Sequence, residues 1–258
     1  MAFTCPRYNR TMLRLMCVTA HPDDEAGGFG GSLRLYHERG VETFVLCLTP
    51  GQAGSHRGTA QSDAELAEIR RKEFAASCQI LKVTRGLVLD YPDGQLHRQE
   101  TNKVVAEITR HVREFRPHVM MSFGPEGAVT AHTDHSMASV FATLAFHWAG
   151  RDNRFPEQIS AALKPHRAQK LYYATATFAL PDRQPVNLPP ITASIDIAPF
   201  VEDKIAAFKA HATQVPLLAR WEGMVRQRGG QELFHLAATT AYGPVVQETD
   251  LFAGVTKD

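Results

Sequence analysis

Net charge is almost absent: 28 Lys and Arg face 27 Asp and Glu, leaving +1 over 258 residues. That balance excludes the basic footprint of a nucleic-acid binder and the acidic tail of a charged partner module. Cysteine is scarce too, with Cys5, Cys17, Cys47 and Cys78 and no C-x-x-C pair. Cys17 and Cys47 lie inside apolar runs and read as reduced core thiols. No apolar stretch approaches the roughly 20 residues of a membrane span, so none is expected. The opening MAFTCPRYNRTM lacks the apolar segment of a signal peptide, which gives a cytoplasmic expectation. Its first eleven residues read as a mobile arm. Internal repeats and low-complexity segments are also missing. The sequence leaves monomer and homo-oligomer equally open.

What is present is an ordinary globular composition, 44% hydrophobic and 21% charged, in a chain long enough for one large α/β domain. Apolar, β-rich runs at 13–19, 41–49, 86–91, 118–123 and 170–177 alternate with helical periodicity. The helices are expected at 27–39, 63–81, 100–115 and 134–147, with a later strand at 191–197 and a final helix at 199–210. This alternation predicts a mostly parallel sheet with helices on both faces. After about residue 150 the pattern loosens. Residues 150–158 and 180–190 read as loops, and a mixed tail containing Trp221 follows the last helix. A single domain over 1–258 with an elaborated C-terminal third is the expectation.

In an open parallel sheet, ligands bind beyond the carboxyl ends of the strands. Four polar clusters fall there: HPDDE after the first strand, PGQAGSHRG after the second, YPDG after the third and GPEGAVTAHTDH after the fourth. Two of them carry histidine and carboxylate together, His21-Pro22-Asp23-Asp24-Glu25 and His132-Thr133-Asp134-His135. Crowded acids need a positive partner. A catalytic zinc site commonly takes three ligands from His and Asp/Glu, and His21, Asp24 and His135 supply such a set. Asp23 and His132 are then left over, as a base for a metal-activated water and as a group that stabilises an oxyanion or protonates a leaving amine. Asp134 is placed to orient His132. Glu25 reads as a brace for the turn. Taken singly, a D-D pair is more often a helix cap and H-x-x-H a surface pair. Their joint position at one sheet edge favours the metal.

GGFGGS invites a dinucleotide reading, but the glycine required at residue 33 is leucine, and the acids before it would repel phosphate. Trp148 and Trp221 read as packing residues. His211, in KAHATQ, reads either as a supporting residue of the site or as a polar residue packed above it.

The ordered motifs AHPDDE, GQAGS, ELAEIRRKEFAASCQILKV, LDYPDG, AHTDH and KIAAFKAHATQ resemble those of the PIG-L/LmbE-like N-acetylglucosaminyl deacetylases over most of the chain. The resemblance implies a Rossmann-like fold, one zinc ion, and hydrolysis of the N-acetyl group of an N-acetylglucosamine-containing small molecule. It places metal ligation on His21, Asp24 and His135, the base on Asp23 and the oxyanion or acid role on His132. It also places sugar-hydroxyl contacts on Arg70 and Asp93, although a helix-surface pair of Arg70 with Glu73 is an equal reading. Thr133 replaces a common proline, Thr130 stands where some members have tyrosine, and Gln52 replaces an acid. The alternatives are an amidase on another N-acyl amino sugar or thiol-conjugate amide, and a metal- or sugar-binding protein without turnover.

Overall fold

The computed structural model describes residues 12–178, 180 and 186–257. The arm expected over 1–11, Cys5 and part of the 180–190 loop lie outside them. β1 (Arg14–Thr19) is buried along its whole length, as its run RLMCVT, with no alternation of polar residues, demands of a strand covered on both faces. β2 (Glu42–Cys47), β3 (Arg85–Val88), β4 (Val119–Phe123) and β5 (Lys170–Thr175) run parallel to it. β6 (Ala193–Asp196) and β7 (Gln231–Thr239) complete a seven-stranded sheet of order β3-β2-β1-β4-β5-β7-β6.

The chain steps outward from β1 to β2 to β3, then returns to place β4 on the other side of β1. The crevice beyond the carboxyl ends of β1 and β4 is therefore the topological switch point, where such sheets bind ligands. The two strands that bound it carry the HPDDE and AHTDH segments.

Helices α1 (Asp24–Glu38), α2 (Asp63–Ile80), α3 (Thr101–Phe115) and α4 (Thr133–Trp148) cross between the strands. α3 shows the reason most plainly: Val104, Val105, Ile108, Val112 and Phe115 recur at helical spacing and are all fully buried. In α1 the glycines serve close packing. A Cβ at Gly31 would stand 2.5 Å from Ile197 Cδ1, just beyond β6.

The C-terminal third is more regular than the sequence reading expects. After α5 (Val201–Lys209) the tail forms α6 (Val215–Gln227) and β7. β7 runs antiparallel between β5 and β6, so the sheet is mostly parallel, as expected. β7 is tied to α1 by the buried Glu232, which accepts the N–H groups of Gly31 (2.9 Å) and Ser32 (2.8 Å) and pairs with the buried Lys204. A charge so placed is tolerable only because every partner is present. Trp221 stacks on Phe208 at 4.2 Å and Trp148 lies 6.0 Å from Phe155, both as packing residues. Cys17, Cys47 and Cys78 are buried free thiols.

His166, in the α4–β5 connection, donates from Nε2 to the Pro117 carbonyl at 2.7 Å. Burial pushes its pKa down to about 4, and the nearby Arg116, His118 and Arg14 add to the effect against that hydrogen bond. An unfolded histidine titrates near 6.5, so between about 4 and 6.5 the unfolded chain binds the extra proton. Stability is expected to fall as pH drops through that window. Urea unfolding of wild type and His166→Gln at pH 7 and 4.5 checks this: the variant should lose less stability than wild type over the same interval.

Candidate active site

β1 ends at Thr19, and the chain turns back on the Asp24 carboxylate. Asp24 Oδ2 accepts the N–H groups of Ala20 (3.1 Å) and His21 (2.8 Å). The same oxygen lies 3.6 Å from His21 Nδ1, while Oδ1 lies 3.1 Å from His135 Nε2. One carboxylate thus joins two histidines that are 114 residues apart in sequence, as 135 − 21 shows. His21, Asp24 and His135 are each less than a tenth exposed. His135 is fixed by stacking on Phe123 at 4.0 Å and by Thr130 Oγ1, 3.3 Å from its Nδ1.

The other edge of His21 is held as firmly. Its Nε2 lies 3.0 Å from Asp93 Oδ1 and 3.4 Å from Asp134 Oδ2. Burial works against a charge on this ring, but hydrogen bonds to Asp134 and Asp93, with the field of Asp24, hold its pKa up at about 10. For Asp24 burial is likewise opposed, by His135 and His21, and its carboxyl is held well below the usual range. Nitrogens of His21, His132 and His135 lie within 4.8 Å of one another, and so do donor atoms of His21, Asp93 and Asp134.

Asp23 sits at the N-cap of α1 with φ 117° and ψ −27°, a left-handed conformation rare outside glycine. Such a backbone costs about 1–3 kcal/mol and persists only where its surroundings enforce it. Its side chain caps nothing. Instead Asp23 Oδ2 accepts from Arg70 Nη2 at 3.0 Å, and the same guanidinium donates to the Pro22 and Gly51 carbonyls. Burial, and then the Asp24 charge, raise the Asp23 pKa to about 6 against the pull of Arg70. Gly51 makes that reach possible: its φ is +68°, and a Cβ there would stand 2.2 Å from Arg70 Nη1.

His132 is exposed and faces both other rings, 4.8 Å from His21 and 5.1 Å from His135. It is the N-cap of α4, and its Nδ1 accepts the backbone N–H of Asp134 at 3.1 Å. That contact corrects one expectation. The Asp134 carboxylate does not orient His132. With the helix starting at Thr133, Asp134 points inward, is fully buried, and serves His21 and the N–H groups of Gly94 (2.7 Å) and Leu96 (3.1 Å).

Arg70 and Asp93, expected on sugar hydroxyls, are also turned inward, at 3% and 8% exposure. Asp93 Oδ2 accepts the Ala53 N–H at 3.0 Å while Oδ1 meets His21, so both oxygens are committed. Glu73 is no partner of Arg70 either, because it accepts from the backbone and hydroxyl of Thr213. Arg57, in the glycine-rich loop, pairs with Asp63 on the surface. Glu25 does brace the turn, accepting the Asp23 N–H at 3.0 Å. His211 is fully buried and donates to that same Glu25 carboxylate at 2.6 Å.

Residues 16–146 match the family model described as PIG-L, GlcNAc-PI de-N-acetylase. The chain belongs to the PIG-L family. A diacetylchitobiose deacetylase of Thermococcus kodakarensis is 30% identical over 216 residues, covering 83% of this chain and 75% of its own. A mycothiol S-conjugate amidase of Streptomyces coelicolor is 27% identical, covering 94% of this chain and 97% of its own. The solved N,N'-diacetylchitobiose deacetylase of Pyrococcus horikoshii superposes with a TM-score of 0.75 at 23% identity, over 91% of this chain and 87% of that one. These PIG-L relatives are hydrolases of amide C–N bonds, and this chain is an enzyme of their class. Among the described residues, no helix is long and apolar enough to cross a membrane.

Proposed function

We propose that this PIG-L protein is a zinc-dependent N-deacetylase that removes the acetyl group from an N-acetylglucosamine-containing small molecule. The observation that carries the reading is the Asp24 carboxylate, which meets His21 Nδ1 with one oxygen and His135 Nε2 with the other at the switch point of the sheet. These two nitrogens and one carboxylate form the donor set of a catalytic zinc site that keeps a position open. Asp93 and Asp134 accept from His21 Nε2 and fix the ring with its Nδ1 edge beside Asp24, the usual task of carboxylates behind a metal-binding imidazole. His132 is better placed for chemistry than for ligation, since it is exposed and spends its Nδ1 on capping α4.

When bound, a zinc ion lowers the pKa of a water molecule to about 7 and polarises the scissile carbonyl. Arg70 holds Asp23 Oδ2 while Oδ1 has no hydrogen-bond partner among the described residues, so Oδ1 takes a proton from the attacking water. With Nδ1 accepting a hydrogen bond, neutral His132 carries its proton on Nε2. That N–H donates to the carbonyl oxygen as negative charge develops there. The proton on Asp23 then passes to the leaving nitrogen, giving acetate and a free amine.

The S-conjugate amidase aligns along 97% of its length, which favours a second substrate class, an amide in a thiol conjugate, for the same machinery. Amine release by zinc-loaded protein from N-acetylglucosamine, N,N'-diacetylchitobiose and a thiol-conjugate amide separates the two. Turnover of an acetylated amino sugar is expected. Turnover of the conjugate alone transfers the mechanism to the second class, and stoichiometric zinc with no amine from any of the three makes the protein a binding module.

A further inference from the structure

Beside Asp23 lies a buried cluster that no step above uses. Glu25, Ser77 and His211 are all completely buried. Glu25 Oε1 accepts from Ser77 Oγ and from His211 Nε2, both at 2.6 Å, and Oε2 accepts the backbone N–H of Asp23 at 3.0 Å. His211 comes from the C-terminal third, beyond the 16–146 segment that matches the family model. The next turn is bolted to α2, because Thr213 donates its N–H and hydroxyl to Glu73 at 2.8 and 2.7 Å. α2 thus supplies Arg70, Glu73 and Ser77. Asp23 is gripped twice, by its side chain through Arg70 and by its backbone through Glu25.

The second grip acts on the residue with the left-handed φ. A strained conformation at a reactive residue persists only where neighbours over-determine it. The peptide plane before Asp23 is held at both ends, its N–H by Glu25 and the Pro22 carbonyl by Arg70. A carboxylate alone in the core would be costly, and its three donors make it tolerable. Loss of the His211 donor leaves Glu25 under-satisfied and free to turn away from Asp23. Relaxation of the Asp23 backbone then swings its carboxylate, and a misplacement of about 1 Å can cost about 10²-fold in rate.

We propose that His211 and Glu25 are positioning residues that hold the general base Asp23 in its left-handed conformation by its backbone N–H, so that the C-terminal third completes the active site. This inference rests on the assignment of Asp23 as the base. His211 Nδ1 has no partner among the described residues, so the contribution of the ring to Glu25 is the single donor Nε2. Glutamine can place an N–H at that position; asparagine, one methylene shorter, cannot.

His211→Gln and His211→Asn therefore form the test pair, read as kcat per metal-loaded chain with N,N'-diacetylchitobiose and as amide hydrogen exchange at Asp23. Gln should keep kcat within about threefold of wild type. Asn should lose about 10–100-fold in kcat, the usual range for supporting residues, with KM and metal content unchanged. Exchange of the Asp23 amide should quicken about tenfold or more in Asn alone. Equal kcat and equal exchange in the two variants would overturn the proposal, as would a loss confined to KM or metal content. If Asp23→Asn turned over like wild type, the base assignment itself would fall. The exchange comparison would still judge the grip on Asp23.

Discussion

Asp23→Asn should bind metal as wild type does and release amine about 10²–10⁴-fold more slowly, the usual contribution of a general base. The substitution is chosen because it spares the geometry. Asparagine tolerates left-handed φ better than most residues, and its Oδ1 can still accept from Arg70 in place of the carboxylate oxygen at 3.0 Å. Its backbone N–H remains available to Glu25. Only the capacity to take a proton disappears. KM should change little, because the lost interaction belongs to the transition state. Turnover with metal analysis on the same sample checks it, and wild-type turnover would remove Asp23 from the chemistry.

Asp24→Asn should behave in the opposite order, losing metal first and activity with it. Asp24 is the carboxylate between two imidazoles, with His135 Nε2 at 3.1 Å and His21 Nδ1 at 3.6 Å. Its neutral replacement keeps the shape but not the charge that balances a divalent ion. Because metal activation and base action fail together, the loss should equal or exceed the roughly 10²–10⁴-fold expected for the base alone. Added zinc should not restore turnover at concentrations that saturate wild type. Metal content measured on neighbouring variants, present in Asp23→Asn and absent in Asp24→Asn, separates the duties of two adjacent acids. Equal metal content in both would merge them.

Much of this site is legible in the sequence because it depends on strand ends, and strand ends are easy to find. Five apolar runs fix the parallel strands, and the sheet rule then brings His21 and His135 to one edge from 114 positions apart (135 − 21). What escapes a reading of spacing is the direction of each side chain. Asp134 follows His132 closely in sequence, yet with His132 as the cap of α4 its carboxylate turns under the helix to His21. Arg70 looks like a helix-surface arginine until Gly51, with a positive φ and no Cβ, lets its guanidinium reach Pro22 and Asp23.

The tail fails for a different reason. β7 is half-buried on both faces over much of its length, so its hydrophobic pattern does not alternate. α6 exposes Val215 and Leu217 at 45% and 43%, which blurs the contrast between its faces. His211 stands at the join of these two lessons. Its motif is visible in the sequence, but its contact with Glu25 depends on a tertiary path that no local pattern encodes.

The most direct test of the central claim is a titration of zinc into metal-free protein while amine release from an acetylated amino sugar is followed. Activity should be negligible at the start, rise in proportion to bound zinc, and saturate at about one ion per chain. Full activity without metal, or one bound zinc per chain with no amine released, would contradict the account.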